Sequence, residues 1–144
     1  MIRKYRDADM DQILDIWLSA SIKAHAFIES AFWTSKVSEM REVYLPASET
    51  FVFESGAQIA GFYSLYENTL AAVFVAPSLQ GKGVGTALIE DAKSRRERLQ
   101  LTVYSENEPS IHFYKKHGFS SIGQQIDERT GHPELVMAYH DELL

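Results

Sequence analysis

The chain has 144 residues, 45% of them apolar and 12% aromatic, which suits one domain with its own core and excludes a disordered chain. It contains no cysteine, so disulfides, thiolate metal sites and a cysteine nucleophile are all excluded. A formal net charge of -6 disfavours sequence-independent nucleic-acid binding, and no apolar run is long enough for a membrane span or a signal core. One cytoplasmic domain over residues 1–144 is the expectation.

Residues 2–5 read as a short strand. Asp9 then occupies the position of an N-cap, with Gln12 as its capping-box partner. Ile13, Leu14, Trp17, Leu18 and Ala20 recur at helical spacing, which predicts an amphipathic helix over 10–21. Residues 22–32 show no steady period, and 33–45 form a second, less regular helix that Pro46 closes. Strands over 50–55 and 58–66 flank Ser55-Gly56-Ala57-Gln58, which is hairpin chemistry. Residues 70–76 are apolar throughout, the pattern of a central strand covered on both faces, and Pro77 ends it.

A helix follows over 83–96, with Val84, Ala87, Leu88 and Ala92 on one side. Residues 99–104 form another strand. Pro109 suits the first turn of a helix reaching His117, and Gly118 is its C-cap. Strands over 119–127 and 135–140 complete an α/β domain with a mixed sheet.

The richest segment is Val73-Phe74-Val75-Ala76-Pro77-Ser78-Leu79-Gln80-Gly81-Lys82-Gly83-Val84-Gly85-Thr86. A strand stops at a proline, a glycine-rich loop follows, and a helix begins. Such a helix start offers unpaired N–H groups and the positive end of the dipole to an anion, and glycines let the backbone come close. This is a phosphate cradle. It is neither a Walker loop nor the G-x-G-x-x-G dinucleotide fingerprint, because Gly81, Gly83 and Gly85 are spaced G-x-G-x-G.

Gln80-x-x-Gly83-x-Gly85 after Val75-Ala76-Pro77 resembles the pyrophosphate motif Q/R-x-x-G-x-G/A of the GNAT acetyltransferases. Asn107-x-x-x-x-x-Phe113-Tyr114-x-x-x-Gly118-Phe119 is similar to the second signature of that family. Both lie in the family's order, and the order of elements matches along the whole chain. The resemblance implies a GNAT fold, a mixed and mostly antiparallel sheet of about seven strands flanked by about four helices. It also implies acetyl transfer from acetyl-CoA to a primary amine, on a small molecule or a protein lysine, without a metal.

The implied roles attach to named residues. The backbone of Val73, Phe74 and Val75 would pair with the pantetheine amides and supply the oxyanion donor. The amides of Gly81, Lys82, Gly83, Val84 and Gly85, with the Thr86 hydroxyl, would hold the pyrophosphate. Gln80 would shape the loop, and Asn107 would bond the pantetheine arm. Tyr114 would protonate the departing thiolate; its plain alternative is a packing tyrosine.

The base is less clearly marked. Relatives that acetylate protein N-termini carry a glutamate where this chain has Thr102. Glu67 is the nearest carboxylate, and a solvated turn residue is its other reading. His25 and Phe27, in Lys23-Ala24-His25-Ala26-Phe27-Ile28, resemble an H-x-F-[IL] segment of a bacterial GNAT subgroup that also carries a turn like Gly131-His132-Pro133. They would wall the acceptor pocket, or His25 is a partly buried histidine with one hydrogen bond. His112 and His117 are spaced poorly for a shared metal. Lys82, Lys93, Arg95, Arg96, Lys115 and Lys116 are candidates for the CoA 3′-phosphate, most of them a solvated face. A non-catalytic acyl-CoA sensor is the alternative function, and monomer and homodimer stay equally open.

Overall fold

The extended runs pair edge to edge into one seven-stranded sheet ordered β1-β2-β3-β4-β5-β7-β6. The strands are β1 (Ile2–Lys4), β2 (Glu49–Ser55), β3 (Gln58–Tyr66), β4 (Thr69–Val75), β5 (Arg98–Tyr104), β6 (Ser120–Ile126) and β7 (Pro133–His140). This computed structural model describes residues 1–140. All neighbouring strands run antiparallel except β4 and β5. The helices are α1 (Met10–Ala24), α2 (Ser30–Ser35), α3 (Val37–Glu39), α4 (Leu45–Ala47), α5 (Val84–Arg95) and α6 (Glu108–Lys116). None is long and apolar enough to cross a membrane.

Alternation along the strands divides the apolar side chains between two cores. On β5, Leu99, Leu101 and Val103 face α5 and join Leu88, Ile89, Ala92 and Met137. Tyr104 turns to the other face, with Ile13, Leu14, Trp17 and Trp33 of α1 and α2. Leu88, Ile89 and Ala92 are fully buried; each large aliphatic side chain of this kind stabilises the fold by about 1.5–3 kcal/mol.

Several expectations shift in detail. The helix expected over 10–21 continues to Ala24, where the His25 N–H caps it on the Ser21 carbonyl. Asp9 forms no side-chain cap for α1, because Arg3 holds both its oxygens at 2.9 and 3.0 Å. Gln12 is likewise taken, its Oε1 accepting the Ile59 N–H at 3.1 Å. The helix expected over 33–45 breaks into α2, α3, a π-helical turn at Met40–Tyr44 and α4. Pro46 sits in the first turn of α4 instead of ending a helix, where its missing N–H costs nothing.

The largest departure is β4. Expected to be covered on both faces, it is buried at Leu70 but half-exposed over residues 72–75. Its partner leaves it: β4 and β5 pair only at Thr69↔Gln100. Beyond that point the sheet opens.

Candidate active site

The opening between β4 and β5 is the centre of the site. From residue 71 on, the β4 edge facing β5 has no strand partner, so its N–H and C=O groups must find hydrogen bonds elsewhere. An extended ligand with amides of its own satisfies them as another strand would. The gap lies in a cleft of about 1290 Å³. Val73 and Val75 belong to the α5 side, Ala72 and Phe74 to the α1 side.

At the open end of β4, Pro77–Leu79 makes a single helical turn and leads into the loop. Gly81 and Gly83 have φ of 79° and 86°, a region that L side chains rarely enter. A Cβ built on either would meet nothing within 4 Å, so the loop borders open space. Gly83 is the N-cap of α5 and supplies no side-chain acceptor, which leaves the first N–H groups of the helix free for an anion. Gln80 ties the loop back, its Nε2 donating to the Val75 carbonyl at 3.3 Å. Thr86 lines the cleft, whereas the Val84 side chain is buried in the core and the Lys82 side chain lies outside the lining. Only their backbone is left to meet a ligand there.

At the open end of β5, Asn107 is the N-cap of α6, accepting the Ser110 N–H. It is 7% exposed and lines the cleft. One helix carries both Asn107's cap and Tyr114. The Tyr114 ring packs against Phe113 and Phe119, with centroids 5.5 and 5.7 Å away. Desolvation by burial alone pushes its hydroxyl up to about 12, because burial penalises the phenolate. A Cβ on Gly85 would stand 3.5 Å from the Phe113 ring, so the start of α5 packs against the second half of α6.

The profile of the acetyltransferase (GNAT) domain matches residues 46–121. The chain belongs to the GNAT family. Peptidyl-lysine N-acetyltransferase YiaC of Escherichia coli K12 is 33% identical over 140 residues, covering 96% of each chain. Peptidyl-lysine N-acetyltransferase YjaB of the same organism is 30% identical over 96% of this chain and 95% of its own. The solution structure of apo YjaB superposes with a TM-score of 0.85 over 96% of both chains. The PaiA N-acetyltransferase of Thermoplasma acidophilum, solved with coenzyme A, shares the fold at a TM-score of 0.80, 19% identity and 97% and 98% coverage. This GNAT chain is thus an acetyl-CoA-dependent N-acetyltransferase that transfers acetyl to amines.

The GNAT cleft gathers Val73, Phe74, Val75, Gln80, Gly81, Gly83, Gly85, Thr86, Asn107, Tyr114 and His25. It does not gather Glu67. That residue forms the β3–β4 turn with φ of 54°, beside the closed end of the gap, and its carbonyl accepts from Arg96 Nε at 2.9 Å. Phe27 lies behind His25, its ring 5.7 Å from the imidazole and 5.1 Å from His132.

Of the basic residues expected near a phosphate, three are committed elsewhere. Lys93 donates to the His117 carbonyl, Arg95 pairs with Asp91 and Arg96 with Glu49. Lys23 does line the cleft, with its Nζ 3.3 Å from Gln80 Oε1.

Sequence reasoning passed over Tyr104, Glu39 and Glu134, all of which line the cleft. Tyr104 had a signal: β5 alternates, so it must point away from Leu101 and Val103. Glu134 pairs with Tyr104 across β5 and β7, and opposite residues share a face, so it belongs to the α1 side. Gln125 Nε2 donates to it at 2.8 Å.

Proposed function

We propose that this acetyltransferase acts on protein lysine side chains, with acetyl-CoA threaded through the gap and lysine entering from the α1 side. The observation carrying this reading is the unpaired edge of β4. It runs from the glycine cradle at one end past the splay from β5, and Tyr114 projects from α6 into the same cleft. The printed names of the two full-length relatives favour lysine as the amine.

In this reading the backbone amides of residues 81–85 hold the pyrophosphate and Asn107 bonds the pantetheine arm. An amide of the Val73–Val75 stretch donates to the carbonyl oxygen as negative charge develops there. The neutral lysine nitrogen attacks the acyl carbon; the C–N bond forms and the C–S bond breaks. Tyr114 Oη gives its proton to the departing sulfur. Glu134 is the carboxylate we assign to the lysine ammonium, taking the proton whose loss makes the nitrogen neutral, directly or through water; the second proton, shed as the amide forms, passes through water to restore the Tyr114 hydroxyl. Glu67 lies beside the closed end of the gap and outside the cleft lining, so the base is not assigned to it in this reading. The protein works in the cytoplasm on this reading, where acetyl-CoA and lysine-bearing proteins meet.

Free CoA and acetylated product, followed by mass spectrometry over a panel of lysine peptides and small amines, test the reading. Lysine peptides are expected to turn over with the higher kcat/KM, and Glu134→Gln to lower turnover where Glu67→Gln leaves it near normal. Exclusive turnover of a small amine, or loss of activity in Glu67→Gln alone, overturns the corresponding assignment.

A further inference from the structure

The last turn of α1 touches both sides of the gap. Lys23 Nζ reaches Gln80 Oε1 on the loop after β4, and His25 reaches Asn107 in the turn after β5. The His25 ring is 8% exposed. It stacks on Trp33 with centroids 4.9 Å apart and meets Tyr104 and Phe27 edge-on.

The hydrogen bonds around this ring have a direction. His25 Nδ1 lies 2.8 Å from the Ser21 carbonyl oxygen; a carbonyl only accepts, so Nδ1 carries the proton. The neutral ring then presents a lone pair at Nε2, 3.4 Å from Asn107 Nδ2. Asn107 Oδ1 accepts the Ser110 N–H at 3.4 Å, which selects this orientation of the amide over the flipped one. The series runs from Ser110 through Asn107 and His25 to Ser21. It leaves one N–H and one oxygen lone pair of Asn107 for the cleft that Asn107 lines.

We propose that His25 is a positioning residue of the cosubstrate site. It aims the Asn107 carboxamide and, with Lys23 on Gln80, holds the open ends of β4 and β5 at the width a pantetheine arm needs. Both ring nitrogens are committed to protein partners, so neither is left to take a proton from the acceptor amine. Burial also lowers the imidazole pKa, which keeps the ring neutral and Nε2 an acceptor. The proposal rests on the assignment of Asn107 to the pantetheine arm.

The test is steady-state kinetics with acetyl-CoA and a lysine peptide, together with calorimetry of CoA binding, on five proteins. They are wild type, His25→Phe, His25→Gln, Asn107→Ala and the His25→Phe/Asn107→Ala pair. His25→Phe keeps the aromatic stack and removes both nitrogens; His25→Gln restores a donor and an acceptor. The expected result is a KM for acetyl-CoA raised about tenfold in His25→Phe and in Asn107→Ala, the loss of one oriented hydrogen bond. The pair then matches Asn107→Ala, His25→Gln recovers most of the loss, and the peptide KM barely moves. A normal acetyl-CoA KM in His25→Phe beside a raised one in Asn107→Ala overturns the proposal, as do losses that multiply in the pair. Unchanged acetyl-CoA KM and CoA affinity in Asn107→Ala remove the underlying assignment, and the proposal with it.

Discussion

Tyr114 combines two properties that a proton donor needs: a place in the cleft and a proton it keeps. Burial holds its pKa at about 12, so the hydroxyl is protonated throughout the neutral range. Tyr114→Phe preserves the packing on Phe113 and Phe119, and kcat is expected to fall roughly 10²–10⁴-fold with CoA affinity little changed. The wild-type kcat–pH profile is expected to show no tyrosine limb near the ordinary value of about 10. Stopped assays across alkaline pH check it; a fall near pH 10 that disappears in Tyr114→Phe contradicts the assignment of the raised pKa.

Asp9 shows how a residue can be singled out for the wrong reason. Its type and position suggested a helix cap, but a cap is local and Arg3 is not part of the local pattern. The pair is nearly buried, with side-chain exposures of 12% and 7%. The Asp9 carboxyl is held below its ordinary value, first by the Arg3 hydrogen bonds. A lowered folded pKa contributes stability that is present above the unfolded value of about 3.9 and lost as pH falls through the folded one. Asp9→Asn is therefore expected to lower Tm at pH 7 and to remove part of the acid sensitivity below about pH 4. Thermal melts of both proteins at the two pH values check this; equal Tm at pH 7 counts against the pair.

At the scale of elements, the order of strands and helices was legible because each apolar run kept its period. The unit of strand, glycine loop and helix was legible because its parts follow one another closely in the sequence. What the pattern did not reveal was the state of β4. A continuous apolar strand reads the same whether helices cover it or a ligand channel runs beside it, and the difference lies in a pairing with β5 that is not local. That His25 would reach the cleft was read from its segment, but the partners that hold it there were hidden. His25 is placed by a ring stack on Trp33 and an amide of Asn107, both set by the tertiary fold.

At Gly61 the strands β3 and β4 and the helix α5 come close together. A Cβ there would stand 2.7 Å from the Phe74 carbonyl oxygen and 3.1 Å from Leu88 Cδ1. Backbone cannot give way cheaply, so Gly61→Ala is expected to destabilise by about 1–3 kcal/mol in urea unfolding and to weaken CoA binding by shifting β4. Gly83→Val acts differently: its surroundings are open, but a φ of 86° is hostile to a branched side chain. It is expected to abolish measurable CoA binding by calorimetry while the far-UV circular dichroism stays native. Native affinity in a folded Gly83→Val contradicts the pyrophosphate assignment.

For the whole molecule, the sheet is a partition with a slot in it. The α5–α6 side carries Tyr114 and the glycine loop; the α1–α2 side carries Tyr104 and Glu134 and, in the proposed reading, faces the acceptor. A net charge of -6 favours approach of a cationic lysine over an anionic acceptor, an effect that added salt weakens. The most direct test of this division is incubation of a lysine peptide with acetyl-CoA and either wild type or Tyr114→Phe, with acetylated peptide counted by mass spectrometry and CoA affinity measured in parallel. The account predicts acetyl-lysine from wild type and a loss of roughly 10²–10⁴-fold in the variant at nearly equal affinity. Binding of acetyl-CoA with no acetylated lysine from wild type, or equal yields from both proteins, would contradict it.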